Sequence, residues 1–524
     1  MSIYKKDDFL IEIFKKKFKI FIIIFVLYLS IQLQNVISTF FMGKMVDQIA
    51  ASNYSLAIKL ILASSLSILL INFLYYIYNI LFKIYSSKIS YEIKNKIYNI
   101  LLDKKLIYLK KYSPSYIVDR INKDSSICSE FFLNLKPSFY INILNVIIMS
   151  AIIISINPLS LLIIIILIIL NVIVYSISYK KIYKREIESM ESVNSQFNIE
   201  INWFDKLNLV KRENIFSLML NDIEENFNFL LKKISKSAKT NSNYSFLGGL
   251  VNILSTVLLM TFFLYQIIDN KLTVGNFIIA FSYYGELSKN ITSILSYGKN
   301  IQSYNVALDR INELINLSSE PNGNKILDTI DHISLRNINI QFPETKLLNN
   351  FSYEFNKGNI YLITGPNGVG KSTLIDVILG LLDNYSGDIY INSINKKDLD
   401  MKFLRTNKIS YASQETIILE SSLEDNINLK FERPINNLFK LENLNNKQFN
   451  SASLSGGEKR KIILNRAISK NSDLLIFDEP DTFLDQDSLL EFKKYLKFEC
   501  SNKIIIIISH NKDLINLSKN IIRL

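Results

Sequence analysis

The chain has 524 residues, of which 49% are hydrophobic, and its mean hydropathy of +0.18 is too high for an ordinary soluble protein. The length also exceeds that of one domain, so two parts are expected. A formal net charge of +12 raises nucleic acid as a partner, but the lysines concentrate beside long apolar runs, which favours a membrane, and we expect no nucleic acid partner. Cys128 and Cys500 are far apart and support neither a disulfide framework nor a zinc site.

Six runs are apolar and long enough to cross a hydrocarbon core, which takes about 20 residues in a helix. They lie near 18–41, 56–82, 138–156, 158–178, 244–268 and 273–298. Polar side chains interrupt several of them, which is typical of helices that line a shared cavity. The first run lacks a small-residue cleavage site, so we expect a retained span and not a signal peptide. The pattern predicts a membrane domain of six helical spans.

The connections between these runs alternate in length and in charge. Those after the second and fourth runs have roughly 55–65 residues, which is long for a connection, and they carry most of the lysines. The positive-inside rule therefore places the long connections and both chain ends in the cytoplasm. Apolar residues at helical spacing, such as Ile89, Ile93 and Ile97, predict that the flanking spans continue as helices beyond the membrane.

A polar stretch with proline and glycine, LSSEPNGN, follows the sixth run, and strand-like and helix-like runs alternate after it. We therefore predict a membrane domain at 1–317, a linker at 318–332 and a nucleotide-binding domain at 333–524. Inside the last domain an apolar run ends in two carboxylates, Asp478 and Glu479. In such a pair the first residue holds Mg²⁺ or its water, and the second polarises an attacking water.

A phosphate-binding loop, TGPNGVGKST, lies at 364–373. It fits G-x-x-x-x-G-K-[ST] and stands between a strand-like run and a helix-like run, as this motif requires. Backbone N–H groups of the glycine-rich loop surround phosphate oxygens, the lysine reaches the β- and γ-phosphates, and the following hydroxyl ligates Mg²⁺. The predicted phosphate-binding residues are Gly365, Pro366, Asn367, Gly368, Gly370, Lys371, Ser372 and Thr373.

Between this loop and the carboxylate pair lies LSGGE, and with it the chain resembles an ATP-binding cassette (ABC) exporter half-transporter. The resemblance implies a multi-domain membrane protein, with an all-α six-helix transmembrane domain of the ABC exporter type and an α/β P-loop nucleotide-binding domain that uses ATP and Mg²⁺. In this family the signature faces the γ-phosphate held by the opposite subunit, which implies a homodimer or a dimer with a related half-transporter. Ser455, Gly456 and Gly457 match the signature, in which Glu458 replaces the usual glutamine.

Further positions match the family one at a time. Phe342 matches the aromatic residue that stacks on adenine, the alternative being a core aromatic. Gln414 matches the glutamine that contacts Mg²⁺, so Ser372, Gln414 and Asp478 are the implied metal ligands. His510 matches the histidine that contacts the γ-phosphate.

Glu479 is the implied base or water-polarising residue, and His510 is implied to hold it and the phosphate in place. Asp485 matches the aspartate of the family's D-loop, although Thr482 and Phe483 replace the usual small residues before it. The stretch between Gln414 and the signature is short for the family, which predicts a shortened helical subdomain.

Two segments, at 113–124 and 200–213, resemble the regions of the coupling helices that join the motor to the membrane part. Trp203, the only tryptophan, falls in the second of them. It is expected either to anchor in a groove of the partner's nucleotide domain or to pack within its own helix pair.

The sequence says less about the substrate than about the nucleotide site. Glu286 and Lys289 lie at i, i+3 in the sixth run, so we expect them to face the cavity and to pair with each other or with a substrate; the alternative is a pair that only stabilises the bundle. Nearby tyrosines suit an amphipathic substrate. We expect ATP-driven export of a modified peptide across the bacterial plasma membrane by alternating access of a dimer in contact with membrane lipid. Alternatives are multidrug or lipid efflux or flipping, and a non-hydrolysing ATP-gated membrane protein.

Overall fold

The computed structural model describes residues 8–341, 346–429, 431, 437–441 and 454–524. The chain divides into two compact units. The first contains 8–102 and 112–316, and the second contains 103–111 and 317–524.

The first unit is built from helices throughout its described residues. They are α1 (Asp8–Lys16), α2 (Phe18–Ala50), α3 (Tyr54–Leu101), α5 (Pro114–Glu130), α6 (Lys136–Ile156), α7 (Ser160–Asp205), α8 (Leu207–Arg212), α9 (Phe216–Ile268) and α10 (Val274–Ile315). A π-helical turn, Phe131–Leu135, joins α5 to α6 so that the two form one rod. The prediction that the spans continue as helices beyond the apolar runs is confirmed, because α3, α7 and α9 have 48, 46 and 53 residues.

Fewer helices than six meet the length and hydropathy expected of a membrane span. Among the described residues, α2, α3, the rod Pro114–Ile156 and α9 do so, and α7 is a fifth if its two parts, bent by 45°, are counted together. The sixth predicted run forms most of α10 but is less apolar. Glu286, Lys289 and several serines and tyrosines dilute its hydropathy.

Helix α10 needs little lipid-facing surface because it packs against α2, α5 and α6. Its buried face includes Ile279, Ala280, Tyr283, Tyr284 and Leu287. At Gly43 of α2 and Gly275 of α10 the two backbones approach so closely that a Cβ on either residue would overlap the other helix. Asp47 accepts a hydrogen bond from the Gly275 N–H at 2.7 Å. Neighbouring helices thus replace lipid around α10.

The described residues of the second unit form two sheets. Strands β1 (His332–Gln341), β2 (Lys346–Asn356), β4 (Tyr385–Ile391) and β5 (Ile394–Asn395) form an antiparallel sheet in the order β2-β1-β4-β5. Strands β3 (Asn359–Thr364), β6 (Ile409–Ala412), β7 (Leu474–Asp478), β8 (Ile504–Ile508) and β9 (Asn520–Arg523) form a parallel sheet in the order β6-β7-β8-β3-β9. The helices are α4 (Leu106–Leu109), α11 (Lys371–Ile378), α12 (Met401–Asn407), α13 (Leu423–Asn428), α14 (Gly456–Ser469), α15 (Gln486–Glu499) and α16 (Lys512–Ile515).

The parallel sheet places the predicted motifs at one edge. Strands β7 and β8 are buried along their whole length and read as apolar runs, which is typical of parallel strands that are covered on both faces. In such sheets ligands bind outside the carboxyl ends of the strands. The phosphate loop follows β3, Gln414 follows β6, Glu479 follows β7 and His510 follows β8. The predicted α/β P-loop architecture is confirmed.

The short helix α4 packs on the second unit. The Lys105 backbone N–H donates to the Ser318 carbonyl at 3.0 Å, and the Lys105 ammonium lies 2.5 Å from Asp383 Oδ2. Ile107 packs against the core of this unit. The segment 113–124, predicted to surround the first coupling helix, comes after α4 and forms the start of α5.

Trp203 lies near the end of α7, and its indole N–H donates to Asp222 Oδ2 on α9 at 2.7 Å. This hydrogen bond joins Trp203 to its own helix pair, and anchoring in a groove of the partner's nucleotide domain stays a prediction. The predicted shortening of the helical subdomain falls partly on residues outside the described ranges. Of that stretch, the described part contains one helix, α13.

Candidate nucleotide site

The phosphate loop connects β3 to α11 and takes a shape that glycine permits. Gly368 and Gly370 have φ values of +84° and +105°, in the left-handed region that other residues rarely adopt. A Cβ on Gly370 would also lie 3.2 Å from the Cβ of Leu347. The loop therefore ends at the N-terminus of α11, where unpaired backbone N–H groups and the helix dipole favour an anion.

Lys371, the first residue of α11, is buried and folds back over the loop. Its ammonium group donates to the carbonyl oxygens of Gly365 at 2.7 Å and Pro366 at 3.1 Å. It also lies 3.4 Å from Nε2 of His510, at the end of β8. The lysine and the histidine thus meet beside the loop although 139 positions separate them in the chain.

Asp478 ends β7 and is 2% exposed. Its Oδ2 accepts hydrogen bonds from the hydroxyl groups of Ser372 at 3.0 Å and Tyr411 at 3.3 Å. Burial raises the pKa of the Asp478 carboxyl, and these two hydrogen bonds act in the opposite direction. A hydroxyl and a carboxylate oxygen are hard ligands of the kind that Mg²⁺ prefers.

Glu479 follows directly and adopts a left-handed backbone, with φ at +50°. Its N–H donates to the Ile508 carbonyl at 2.8 Å, which anchors it to β8, and its Oε2 accepts a hydrogen bond from the Gln414 amide at 2.9 Å. A residue other than glycine in this conformation costs about 1–3 kcal/mol and persists where its surroundings hold it. Such strain is concentrated at functional sites.

Arg460, on α14, is a residue of this site that sequence reasoning missed. It is 1% exposed, and its guanidinium group donates to the carbonyl oxygens of Ser413 at 2.6 Å, Asp478 at 2.5 Å and Pro480 at 3.3 Å. It thereby ties together the loops that carry Gln414 and Glu479. The available signal was an arginine on the inner, otherwise apolar face of the helix that follows the signature.

The signature begins α14 with a capping box. The Ser455 hydroxyl accepts from the Glu458 N–H at 3.3 Å, and Glu458 Oε2 accepts from the Ser455 N–H at 2.8 Å. Bonds from Ser455 hold the pKa of Glu458 below its usual range. Glu458 therefore stabilises the start of the helix. In the ranges that the structure describes, no hydrogen bond joins Ser455, Gly456 or Gly457 to the phosphate loop.

Phe483 covers the signature from the side of the D-loop. A Cβ on Gly456 would lie 3.3 Å from Cγ of the Phe483 ring, which is itself 70% exposed. Asp485 caps α15, since its Oδ1 accepts from the Ser488 N–H at 2.7 Å, and its Oδ2 lies 2.9 Å from Lys461 Nζ. In the described chain both D-loop residues make structural contacts on the signature side.

Of the residues predicted for the site, six gather at the carboxyl edge of the parallel sheet: Lys371, Ser372, Gln414, Asp478, Glu479 and His510. Phe342 lies outside the described residues. Glu286 and Lys289 pair with each other at 2.7 Å, as predicted, but their side chains are 48% and 73% exposed on α10. The buried side of α10 is already filled by its tyrosines and aliphatic residues.

A phosphate loop beside a carboxylate pair, on a parallel sheet and in one chain with long apolar helices, defines a P-loop nucleotide-binding membrane protein. The chain belongs to the ABC transporter family. The family model described as ABC transporter transmembrane region matches residues 21–289, and that described as ABC transporter matches 348–482. The transmembrane match covers about half of the chain.

Curated relatives and a solved structure agree with this placement. The chain is 26% identical to the lactococcin-G-processing and transport ATP-binding protein of Lactococcus lactis subsp. lactis, over 66% of the chain and 52% of that protein. It is 29% identical to the microcin-J25 export ATP-binding/permease protein of Escherichia coli, over 51% of the chain and 50% of that protein. The chain thus spans about half the length of these two relatives.

The fold is similar to that of a bacterial Atm1-family ABC exporter with ATP bound. The TM-score is 0.83, and the match covers 98% of this chain and 93% of that one. At 18% sequence identity this similarity shows the fold alone.

Proposed function

We propose that this protein is an ATP-driven exporter of an amphipathic substrate, a modified peptide, across the bacterial plasma membrane. The observation that carries the proposal is the meeting of Lys371, Asp478, Glu479 and His510 at one sheet edge in a chain with several membrane-length helices. Chain ends on the cytoplasmic side would place this edge where ATP is available.

Lys371 is proposed to exchange its two loop carbonyl partners for the β- and γ-phosphates of ATP. Ser372, Gln414 and Asp478 would hold Mg²⁺, which stabilises the charge that develops on the phosphates. These oxygen ligands fit that ion. Within the described residues, no cluster of three or more His, Cys, Asp or Glu side chains could bind a metal by itself.

Glu479 is proposed to polarise the attacking water. Its carboxylate is oriented by Gln414, and its backbone is anchored to β8, where His510 begins the next loop. A base within hydrogen-bond reach of the water contributes about 10²–10⁴-fold to the rate.

The signature residues Ser455, Gly456 and Gly457 are proposed to bind the nucleotide of a second subunit, together with the D-loop and Asp485. The N-terminus of α14 offers N–H groups to a phosphate, and it has no bond to the phosphate loop of its own chain in the described ranges. A complete motif set in one chain supports a homodimer. A related half-transporter is the other candidate partner.

The peptide proposal is supported by the two relatives whose names specify transport of lactococcin-G and export of microcin-J25. ATP hydrolysis by the full-length protein in lipid nanodiscs, titrated separately with amphipathic peptides, hydrophobic drugs and lipids, tests it. We expect saturable stimulation by peptides. Stimulation by drugs or lipids alone would instead assign the protein to efflux or flipping.

Substitution of Glu479→Gln tests the pump itself. We expect hydrolysis to fall at least about 100-fold and transport to stop, while ATP binding persists because the phosphate loop is intact. Glu491→Gln, an exposed position on α15, is the matched control and should behave as the wild type. Unchanged transport by the Glu479→Gln protein would contradict the proposal.

A further inference from the structure

A cavity of about 460 Å³ lies in the first unit, bounded by α5, α7 and α10. It is separate from the Glu286–Lys289 pair, which does not line it. The acidic and basic side chains of its lining are Asp124, Glu186, Glu191, Glu313, Arg120 and Arg310. Four carboxylates against two guanidinium groups leave it with two negative charges in excess.

Asp124 is the most buried of these groups, at 1% exposure. In the described part of the chain neither of its carboxylate oxygens accepts a hydrogen bond, although Oδ2 lies 3.3 Å from Arg310 Nε. A buried carboxylate normally has its oxygens satisfied by donors, because desolvation without partners is costly. The cavity therefore borders acceptors that lack donors.

Two further polar atoms of the lining share this condition. Gln302 Oε1 has no hydrogen-bond partner among the described residues, and neither does Arg120 Nε. Nη2 of the same guanidinium group pairs with Glu313 and donates to the Arg310 carbonyl at 2.7 Å. Of these four atoms without a hydrogen bond, three are acceptors. The lining therefore favours an occupant that donates hydrogen bonds.

The rest of the lining is apolar or aromatic. Ile187, Met190 and Val306 supply aliphatic surface, and Met adapts to irregular shapes. Tyr116 and Tyr183 add aromatic surface to the lining, and the Arg120 guanidinium group already lies over the Tyr116 ring, 5.8 Å from its centroid. An occupant that suits all of these groups has a cationic donor, such as an ammonium or guanidinium group, attached to an apolar body.

We propose that this cavity binds the cationic group of an amphipathic substrate, with Asp124 as its principal acceptor. This inference deepens the proposed export function and rests on it for the identity of the ligand as a substrate. An anionic lipid headgroup or a phosphate is disfavoured, because the lining carries excess negative charge. Arg310, which now neutralises Asp124 in part, would share the carboxylate with the bound cation.

The test is direct binding of a labelled amphipathic peptide with several lysines to the full-length protein in nanodiscs, without ATP. Its lysine-acetylated analogue is the neutral comparison. We expect the cationic peptide to bind roughly tenfold more tightly, a ratio that corresponds to one favourable buried charge contact. Asp124→Asn should remove this preference. Asp119→Asn, on the same helix but paired with Lys123 and outside the lining, should keep it.

A second variant keeps the test valid if Asp124→Asn does not fold. Glu191→Gln changes an exposed member of the lining and should weaken binding of the cationic peptide by about twofold to threefold, as a partly screened charge does. Equal binding of both peptides to the wild type, no binding of either, or an unchanged preference in folded Asp124→Asn protein would overturn the proposal.

ATP-dependent peptide uptake, measured on the same proteins, separates the two hypotheses. If peptide binding depends on Asp124 but no uptake occurs, the cavity is a binding site and the export function is refuted. If uptake of the cationic peptide is unchanged in the Asp124→Asn protein, the export function stands and the role of the cavity in binding the peptide is refuted.

Discussion

Arg460 offers the sharpest test of how the site is held. In Arg460→Met the aliphatic part of the side chain is retained, but three hydrogen bonds to the carbonyls of Ser413, Asp478 and Pro480 are lost. Bonds from a charged donor contribute about 1.5–3 kcal/mol each, and the effects are not additive. Removing one partner of such a buried network costs about 3–5 kcal/mol.

For a unit of this size a loss of about 4 kcal/mol lowers the melting temperature by roughly 8–16 °C. The loops that carry Gln414 and Glu479 would also shift, and a displacement near 1 Å at a reacting group costs about 100-fold in rate. Arg460→Lys should fall between wild type and Arg460→Met, because lysine keeps the charge but not the planar fork of donors.

The assay combines phosphate release by the full-length protein in nanodiscs with scanning calorimetry. The transition of the nucleotide-binding unit is the one that ATP shifts upward, since ligand binding stabilises the folded state. Lys459→Met, at the adjacent and only half-buried position, is the control and should change stability by less than about 0.5 kcal/mol. Melting and hydrolysis at wild-type values in Arg460→Met would refute the role given to Arg460.

Two other predictions concern charges in the same unit. Lys396 is buried and donates a hydrogen bond to the Val377 carbonyl, and burial lowers its pKa to about 7. Between pH 7 and 10.5 this lysine is therefore protonated in the unfolded chain but mostly neutral in the folded one. The free energy of unfolding should rise with pH across that window. Lys396→Met should flatten this rise in melting temperature while the exposed Lys397→Met does not, and an unchanged slope would contradict the assignment. Asp485→Ala should cost about 1 kcal/mol through loss of the α15 cap, whereas Asp485→Asn keeps an accepting oxygen and most of the stability. If both variants hydrolyse ATP poorly while only the alanine variant melts early, Asp485 acts on the nucleotide as well as on the helix.

The local motifs of the nucleotide unit were predictable because each combines a distinctive residue pattern with a fixed structural context. The phosphate loop needs a strand before it and a helix after it, and both are apolar runs in the sequence. The same holds for the carboxylate pair at the end of β7 and for His510 after β8. Parallel pairing then brings these strand ends to one edge.

Arg460 and α10 show where this reasoning ends. From the sequence, an arginine in a helix is expected to be a solvated charge unless the carbonyls that surround it are known. Here those carbonyls lie at the carboxyl ends of two neighbouring strands, Ser413 after β6 and Asp478 and Pro480 at the end of β7. The run 273–298 was predicted to span the membrane from its hydropathy, and the structure shows in addition that Tyr283 and Tyr284 are buried by packing against α2 and α6. Composition cannot reveal which side of a helix its neighbours cover.

The sequence by itself determined the class of protein, the edge of the sheet where nucleotide chemistry is expected and the identity of most residues there, because these depend on local patterns and on strand order. Only the tertiary structure decided that Lys371 meets His510, that Arg460 joins the loops of the site, and that the Asp124 carboxylate accepts no hydrogen bond beside a cavity. Each of these depends on contacts between residues far apart in the chain. Such contacts are set by packing and desolvation in the folded state, and no single segment records them.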